Sequence, residues 1–336
     1  MFLLVGTREQ ASPRYRVIQF VDELQRQGFE VELRYPEKKR KGVMRAYGNY
    51  VEQQRVLDKV NLFDIVFIQK RLFPVSFINK LAKSDVKIVF DFDDAIFSSQ
   101  NNKSLISSIR TDKRFKAVCK YSNLVLAGNQ YLFDHAVKAG GKQVKVFPTV
   151  IDGKRYETIR RRNETDQVIL GWIGQTVNYD YLRSIEPVLS SLSDDHMVKL
   201  KVISRPPFEM KGVCVEVIEW SEDEEINELA MIDIGLMPIP DNEWAKGKCA
   251  LKAIQYMAAG VPVVCSDVGA NREVVRDQVD GFLVSNDSEW KFAIENLIKD
   301  RALRRQIGES GRERALSVFN LSCVASTLGR WLDELK

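Results

Sequence analysis

Residues 232–284 read IDIGLMPIPDNEWAKGKCALKAIQYMAAGVPVVCSDVGANREVVRDQVDGFLV. The apolar run Ile232–Met237 ends at Pro238-Ile239-Pro240, where proline withdraws the backbone donor a central strand needs. A loop with Lys246, Gly247 and Lys248 follows, and a helix opens at about Cys249. Apolar side chains recur at helical spacing through Leu251–Ala259, and Gly260 ends the helix. Val261–Ser266 is a second apolar strand, a glycine loop at Gly269 comes next, and Gly281–Val284 is a third strand. Strand, helix, strand is the unit of a parallel sheet. Free amides at a helix start, with lysines beside them, favour an anion, and a diphosphate suits the place.

Outward from this stretch the alternation continues. Further strands are expected at Val168–Ile173, Lys199–Ser204 and Val213–Ile218, with helices at Tyr181–Leu192, Glu222–Met231, Glu289–Ile298 and Ala302–Phe319. Toward the amino end, strands are expected at Phe2–Val5, Phe29–Tyr35, Ile65–Ile68, Ile88–Phe90, Leu124–Ala127 and Val144–Phe147. Ser12 reads as a helix cap with Pro13 at the first position, and that helix runs to Gly28. The charged segment Asp152–Asp166 reads as a linker. The expected fold is α/β: two doubly wound Rossmann-like domains, 1–160 and 166–319, facing each other across a cleft. A helix over about 320–336 can pack back on the first. Ligands in such sheets bind beyond the carboxyl ends of the strands.

Charge divides the same way. Residues 1–162 hold 31 Lys and Arg against 17 Asp and Glu, a net of +14; the rest hold 19 against 29, a net of −10. The basic half carries Lys38–Lys41 with Arg45, and Arg160-Arg161-Arg162. It suits an anionic partner, an acidic membrane surface or a phosphorylated lipid before nucleic acid, since no zinc finger, RRM-type motif or basic zipper is present. Five scattered cysteines and two histidines, in 336 residues, make a zinc site or disulfide framework a poor expectation. Cys214 and Cys265 lie in apolar runs and read as core residues, and His135 reads as structural. No run of about 18 apolar residues occurs and no signal-peptide core opens the chain, so a cytoplasmic protein is expected.

The segments D-I-G-L-M-P, K-x-x-Q-Y-M-A-A-G-V-P-V-V, S-D-V-G, E-V-V and D-G-F-L-V stand in this order across the carboxyl half. In them the chain resembles the retaining nucleotide-sugar glycosyltransferases of family 4, which have the GT-B fold. The amino half matches less specifically, through Gly6, A-S-P-R-Y-R-V and F-D-F-D-D-A-I-F. The resemblance implies transfer of a sugar from a nucleotide donor to a glycan or lipid-linked glycan with retention of configuration. It places the donor in the second domain and the acceptor in the first, without metal or resident cofactor. In the family, two glutamates with seven residues between them flank the donor; here Gly247 and Gln255 stand at those positions. Glutamine can still bond ribose hydroxyls, so Gln255→Glu is expected to be tolerated and Gln255→Ala to weaken nucleotide binding.

Donor-binding candidates are Gly174 and Gln175 in the loop after the first carboxyl-half strand, Arg205 at a strand end, Trp220 and Ser221, Gly247, Lys248, Cys249, Gln255 and Glu273. Lys252, one turn before Gln255, and Lys248 stand in for the basic pair on the diphosphate, or are solvated surface charges. Trp220 either lies against the nucleotide base or packs structurally. Asp93 and Asp94, after the strand ending at Phe90, serve either as acceptor-binding or base residues, or as caps of the next helix. Gly6, Arg14 and Arg16 are the candidates on the acceptor side, with a salt bridge as the alternative for the arginines. Two other functions fit the fold: a sugar-nucleotide epimerase, and a catalytically degenerate donor-binding subunit. A dehydrogenase fits poorly, because no G-x-G-x-x-G follows the first strand.

Overall fold

A computed structural model describes residues 1–7, 10–36, 42–98, 104–159 and 165–336. Lys38–Lys41 and Arg160–Arg162 lie outside the described residues, as does the side chain of Arg45. The chain forms two compact units. The first comprises Met1–Thr149, Lys246–Cys249 and Val324–Lys336; the second comprises Val150–Ala245 and Ala250–Cys323.

The first unit holds strands β1 (Phe2–Leu4), β2 (Glu32–Arg34), β3 (Ile65–Gln69), β4 (Lys87–Phe92), β5 (Leu124–Ala127) and β6 (Val144–Val146). All pair in parallel in the order β2-β1-β3-β4-β5-β6. β3, β4 and β5 are nearly continuous apolar runs because helices cover both faces of a parallel sheet. The first helix, Ala11–Arg16, is capped by Gln10 without a side-chain bond and breaks at Val17 before Val21–Arg26. Ser12 therefore lies inside the helix, and its hydroxyl is spent elsewhere. Val324–Lys336 closes this unit: the Ala325 carbonyl accepts from Gln27 at 3.3 Å, and Trp331 meets Phe147 edge-on at 6.4 Å.

The second unit holds β7 (Val168–Ile173), β8 (Val198–Ser204), β9 (Val215–Glu219), β10 (Ile234–Met237), β11 (Val263–Ser266) and β12 (Phe282–Val284). Their order is β12-β11-β10-β7-β8-β9, again all parallel. Trp172, Leu189, Leu200, Ile234, Val264 and Ile294 anchor its core. The expected helix over 181–192 is two, Tyr179–Arg183 and Glu186–Asp195, with Pro187 in the first turn of the second. Cys214 is exposed because it precedes the half-buried edge strand β9, whereas Cys265 in β11 is buried. The division between units falls at Thr149, ahead of the charged segment: the Ile151 carbonyl accepts from Leu321 at 2.8 Å and the Gly153 amide donates to Asn320 at 3.0 Å, both within the second unit. Strand order reverses between β1 and β3 in one sheet and between β7 and β10 in the other. Loops diverge there at the carboxyl ends and leave room for a ligand.

Candidate functional site

At the reversal point of the first sheet a polar chain runs through six side chains. The Gly6 amide donates to Gln69 at 3.3 Å, Gln69 donates to the Ser12 hydroxyl at 2.7 Å, and Ser12 donates to Asp93 at 2.7 Å. Lys70 pairs with Asp93 at 3.1 Å and also with Asp94, and Lys248 reaches the other oxygen of Asp94 at 2.9 Å. Lys70 follows β3 directly and sits in the left-handed region at φ 54°, a conformation that a lysine keeps only where surroundings hold it. Burial works against the Lys70 ammonium, but Asp93 and Asp94 outweigh it and hold its pKa above the ordinary lysine value. Burial likewise opposes the Asp93 carboxylate, and Lys70, Arg16 and the Ser12 hydroxyl overcome it and hold its pKa low. Two carboxyl groups between two lysines can bond hydroxyl groups and can meet an anion through their lysines.

The loop Lys246–Cys249 belongs to this cluster. Asn129 caps the helix Gln130–Lys138 and donates to the carbonyls of Lys246 at 3.0 Å and Lys248 at 2.9 Å. The Cys249 thiol donates to the Asp93 carbonyl at 3.3 Å. A Cβ on Gly247 would lie 2.5 Å from the Ala95 amide nitrogen. A side chain at 247 would need the Ala95 backbone to shift, which accounts for glycine at a position where the resembled family carries glutamate. The helix starts at Leu251, later than Cys249, after Ala250 at φ 52°.

Arg16 is fully buried. It pairs with Asp91, donates to the Phe147 carbonyl, and stacks on the Phe147 ring at 4.8 Å. Burial disfavours its charge, and Asp91 more than offsets that. Arg16 thus takes the salt-bridge alternative and cannot touch an acceptor. Arg14 is also buried, with its guanidinium 5.3 Å from the Tyr15 ring. His135 stacks on Phe97 at 4.2 Å.

At the reversal point of the second sheet, the Lys252 ammonium lies 4.2 Å from the centre of the Trp172 ring. A Cβ on Gly174 would stand 2.6 Å from that ammonium and 2.4 Å from the ring. Glycine at 174 therefore leaves the lysine head and the loop backbone adjacent. Gln175 is exposed beyond it. The Tyr256 hydroxyl accepts from the Ile173 amide at 3.0 Å and donates to the Gly171 carbonyl at 3.1 Å, which pins the Lys252 helix to β7. A second network lies one turn on. The Gln255 amide donates to Glu225 at 2.9 Å, and the Trp220 indole donates to the other oxygen of Glu225 at 2.6 Å.

Residues 167–300 match the family model described as Glycosyl transferases group 1. These residues are a group 1 glycosyltransferase domain. The chain is 28% identical over 102 residues to the alpha-1,3/1,6-mannosyltransferase ALG2 of Rhizomucor pusillus, covering 30% of this chain and 22% of that protein. It is 23% identical over 257 residues to an uncharacterized 41.2 kDa protein in the cps region of Klebsiella pneumoniae, covering 68% of this chain and 66% of that one. Both matches therefore span less than two thirds of the relatives' own length. Among solved structures, Anabaena Alr3699/HepE in complex with UDP and glucose superposes with a TM-score of 0.70 at 13% identity, over 99% of each chain. At that identity the likeness establishes the fold, GT-B.

Within the group 1 domain the remaining candidates are dispersed in role. Gln255 and Glu225 are each only 3% exposed. The amide expected to reach ribose is spent on a carboxylate, so the expectation that glutamate is tolerated at 255 does not survive: it would set two buried carboxylates face to face. Trp220 takes the structural alternative through its indole. Ser221 accepts from the Glu224 amide at 3.2 Å and caps the turn. Arg205 is exposed after β8, with its carbonyl bonded by the Tyr179 hydroxyl. Glu273 is exposed on the one-turn helix Asn271–Val274. Lys70, Asn129 and Glu225 escaped the sequence reading. Lys70 had one signal, a charge placed directly after an apolar strand; Asn129 had another, an asparagine after glycine at a helix start. Among the described residues no group of three or more His, Cys, Asp or Glu could hold a metal ion.

Proposed function

We propose that the chain is a glycosyltransferase that moves a sugar from a nucleotide-sugar donor to a glycan or lipid-linked glycan, with retention of configuration. The proposed setting is bacterial cell-surface polysaccharide synthesis at the inner face of the membrane. The observation that carries the reading is the Gly174–Lys252–Trp172 arrangement at the reversal point of a group 1 glycosyltransferase domain. A loop backbone without a Cβ, a lysine head beside it and a helix start behind it suit a diphosphate. The likeness to a mannosyltransferase and to a fold solved with UDP and glucose supports a nucleotide-sugar donor, and the relative from a cps region supports the polysaccharide setting.

In this reading charge develops on the leaving diphosphate as the sugar becomes oxocarbenium-like. Lys252 and the helix-start amides stabilise that charge because they are oriented before the reaction begins. No protein nucleophile is required: the departing phosphate takes the acceptor's proton on the same face. Asp93 and Asp94 bind acceptor hydroxyls, and neither a metal nor a resident cofactor takes part. The close packing of Gly247 against Ala95 favours a second reading, a subunit that binds donor without turning it over, because a side chain at the glutamate position would need the Ala95 backbone to shift. Calorimetry with UDP, GDP and ADP, on the full chain and on Lys252→Ala, tests the donor assignment. Binding of at least one nucleotide, weakened by the substitution, supports it; no binding of any of the three refutes it.

A further inference from the structure

Helix Leu105–Tyr121 buries one face through Phe115, Ala117, Val118 and Cys119. The other face begins with aliphatic side chains in water: Leu105 is 77% exposed, Ile106 70% and Ile109 47%. Leu105 and Ile109 stand one above the other at helical spacing, with Ile106 beside them. Arg110, Lys113, Lys116 and Lys120 are exposed farther along the helix, and Arg114 is half-buried. Against these five cations the helix carries one carboxylate, Asp112. Among the described residues, one of the five is ion-paired, Lys116 to Asp112 at 2.8 Å. Burial and the neighbouring Arg110 both lower the pKa of Arg114. Arg110 and Arg114 are four residues apart on this helix, so like charges share one stretch of its surface and favour an apposed anionic surface.

We propose that this helix face docks on an acidic lipid bilayer, with Leu105, Ile106 and Ile109 entering the interface and the basic side chains meeting lipid headgroups. Aliphatic side chains with adjacent cations are the chemistry of an interfacial helix. Nucleic acid has no use for three exposed aliphatics. A second copy presenting the same face would set five cations against five. The inference rests on the membrane part of the reading above and not on its transfer chemistry, and it assigns the contact to residues other than Lys38–Lys41.

The test is flotation of the full chain with vesicles of phosphatidylcholine, alone or mixed with phosphatidylglycerol, at low and high salt. The expected result is salt-sensitive binding to the mixed vesicles only. Leu105→Ser/Ile106→Ser/Ile109→Ser and, separately, Arg110→Ser/Lys113→Ser should each weaken it by about tenfold or more, since insertion and headgroup attraction both contribute. Circular dichroism checks the fold, and Leu105→Ser/Ile106→Ser, the two most exposed positions, serves if the triple variant fails to fold. Wild-type binding that is unchanged in these variants but lost when Lys38–Lys41 become serine overturns the helix assignment and leaves the membrane reading standing. No wild-type binding overturns both, while nucleotide binding by calorimetry still decides the transferase reading. A dimer in sedimentation that the aliphatic variant dissociates, without lipid binding, overturns the proposal in favour of self-association.

Discussion

Gln255→Glu should destabilise the protein in a way that pH reverses. In the wild type the Gln255 amide donates to Glu225 across 2.9 Å, with both residues 3% exposed. The substitution puts a second carboxylate at that distance. If both stayed ionised, repulsion at about 3 Å and an effective dielectric of about 20 would cost about 5 kcal/mol. The pair has a cheaper course: one carboxyl keeps its proton and donates it to the other. Holding that proton costs about 1.4 kcal/mol for each pH unit above the ordinary glutamate value of about 4.3. The penalty is therefore about 3–4 kcal/mol at pH 7 and about 1 kcal/mol at pH 5. The sign follows from proton counts: above pH 4.3 the folded variant binds a proton that the unfolded chain has released, so stability falls as pH rises. In a domain of about 170 residues the pH 7 penalty lowers the melting temperature by roughly 10 °C. Thermal unfolding of wild type, Gln255→Glu and Gln255→Ala at pH 5 and pH 7 measures this. The alanine variant loses a bond to a carboxylate, about 1.5–3 kcal/mol, with no recovery at low pH. A glutamate variant as stable as wild type at pH 7, or one equally weakened at both pH values, would refute the reasoning.

Gly247→Ala should lower thermal stability by about 1–3 kcal/mol, because the new methyl meets the backbone nitrogen of Ala95 and cannot rotate away; an unchanged melting curve contradicts the packing. Lys70→Met should raise the midpoint of acid unfolding. Asp93 is held ionised in the fold partly by Lys70, so its contribution is present above the ordinary aspartate pKa and lost as pH falls through the lower folded value. Without Lys70 that window moves up, and a midpoint at the wild-type pH would count against the cluster. Lys252→Ala should cut turnover about tenfold or more, about 1.4 kcal/mol of barrier, while circular dichroism stays unchanged; wild-type kinetics would remove Lys252 from the diphosphate.

The sheets were legible because their strands are apolar runs with turn residues at their ends: β3, β4, β7, β10 and β11 each have such a run, and helical spacing marks most of the covering helices. Details set by single contacts were not. Nothing local distinguishes Ser12 as a helix cap from Ser12 as a bridge between Gln69 and Asp93, partners 57 and 81 residues away. Cys214 lies in an apolar run, but its exposure depends on β9 being the edge strand, a property of the sheet order. The place of Lys252 in the first turn of a helix was legible. Gln255 was legible as a position and not as a partner, since Glu225 comes to it from another helix. The reason for glycine at 247 depends on Ala95, about 150 residues earlier in the chain. Arg14 and Arg16 were named for lying one helical turn from the Gly6 loop; in the fold both are buried and lie beside rings.

The central claim is transfer, and acceptor dependence tests it most directly. The full chain is incubated with a panel of UDP-, GDP- and ADP-sugars, with and without a bacterial cell-envelope lipid extract, and released nucleotide is followed with time. The account predicts release from at least one donor that rises sharply with extract, coupled to incorporation of the sugar into the lipid fraction and reduced in Lys252→Ala. Sugar conversion that needs no acceptor would make the protein an epimerase. Nucleotide binding without release under any condition would make it a donor-binding subunit, and either result would contradict the account.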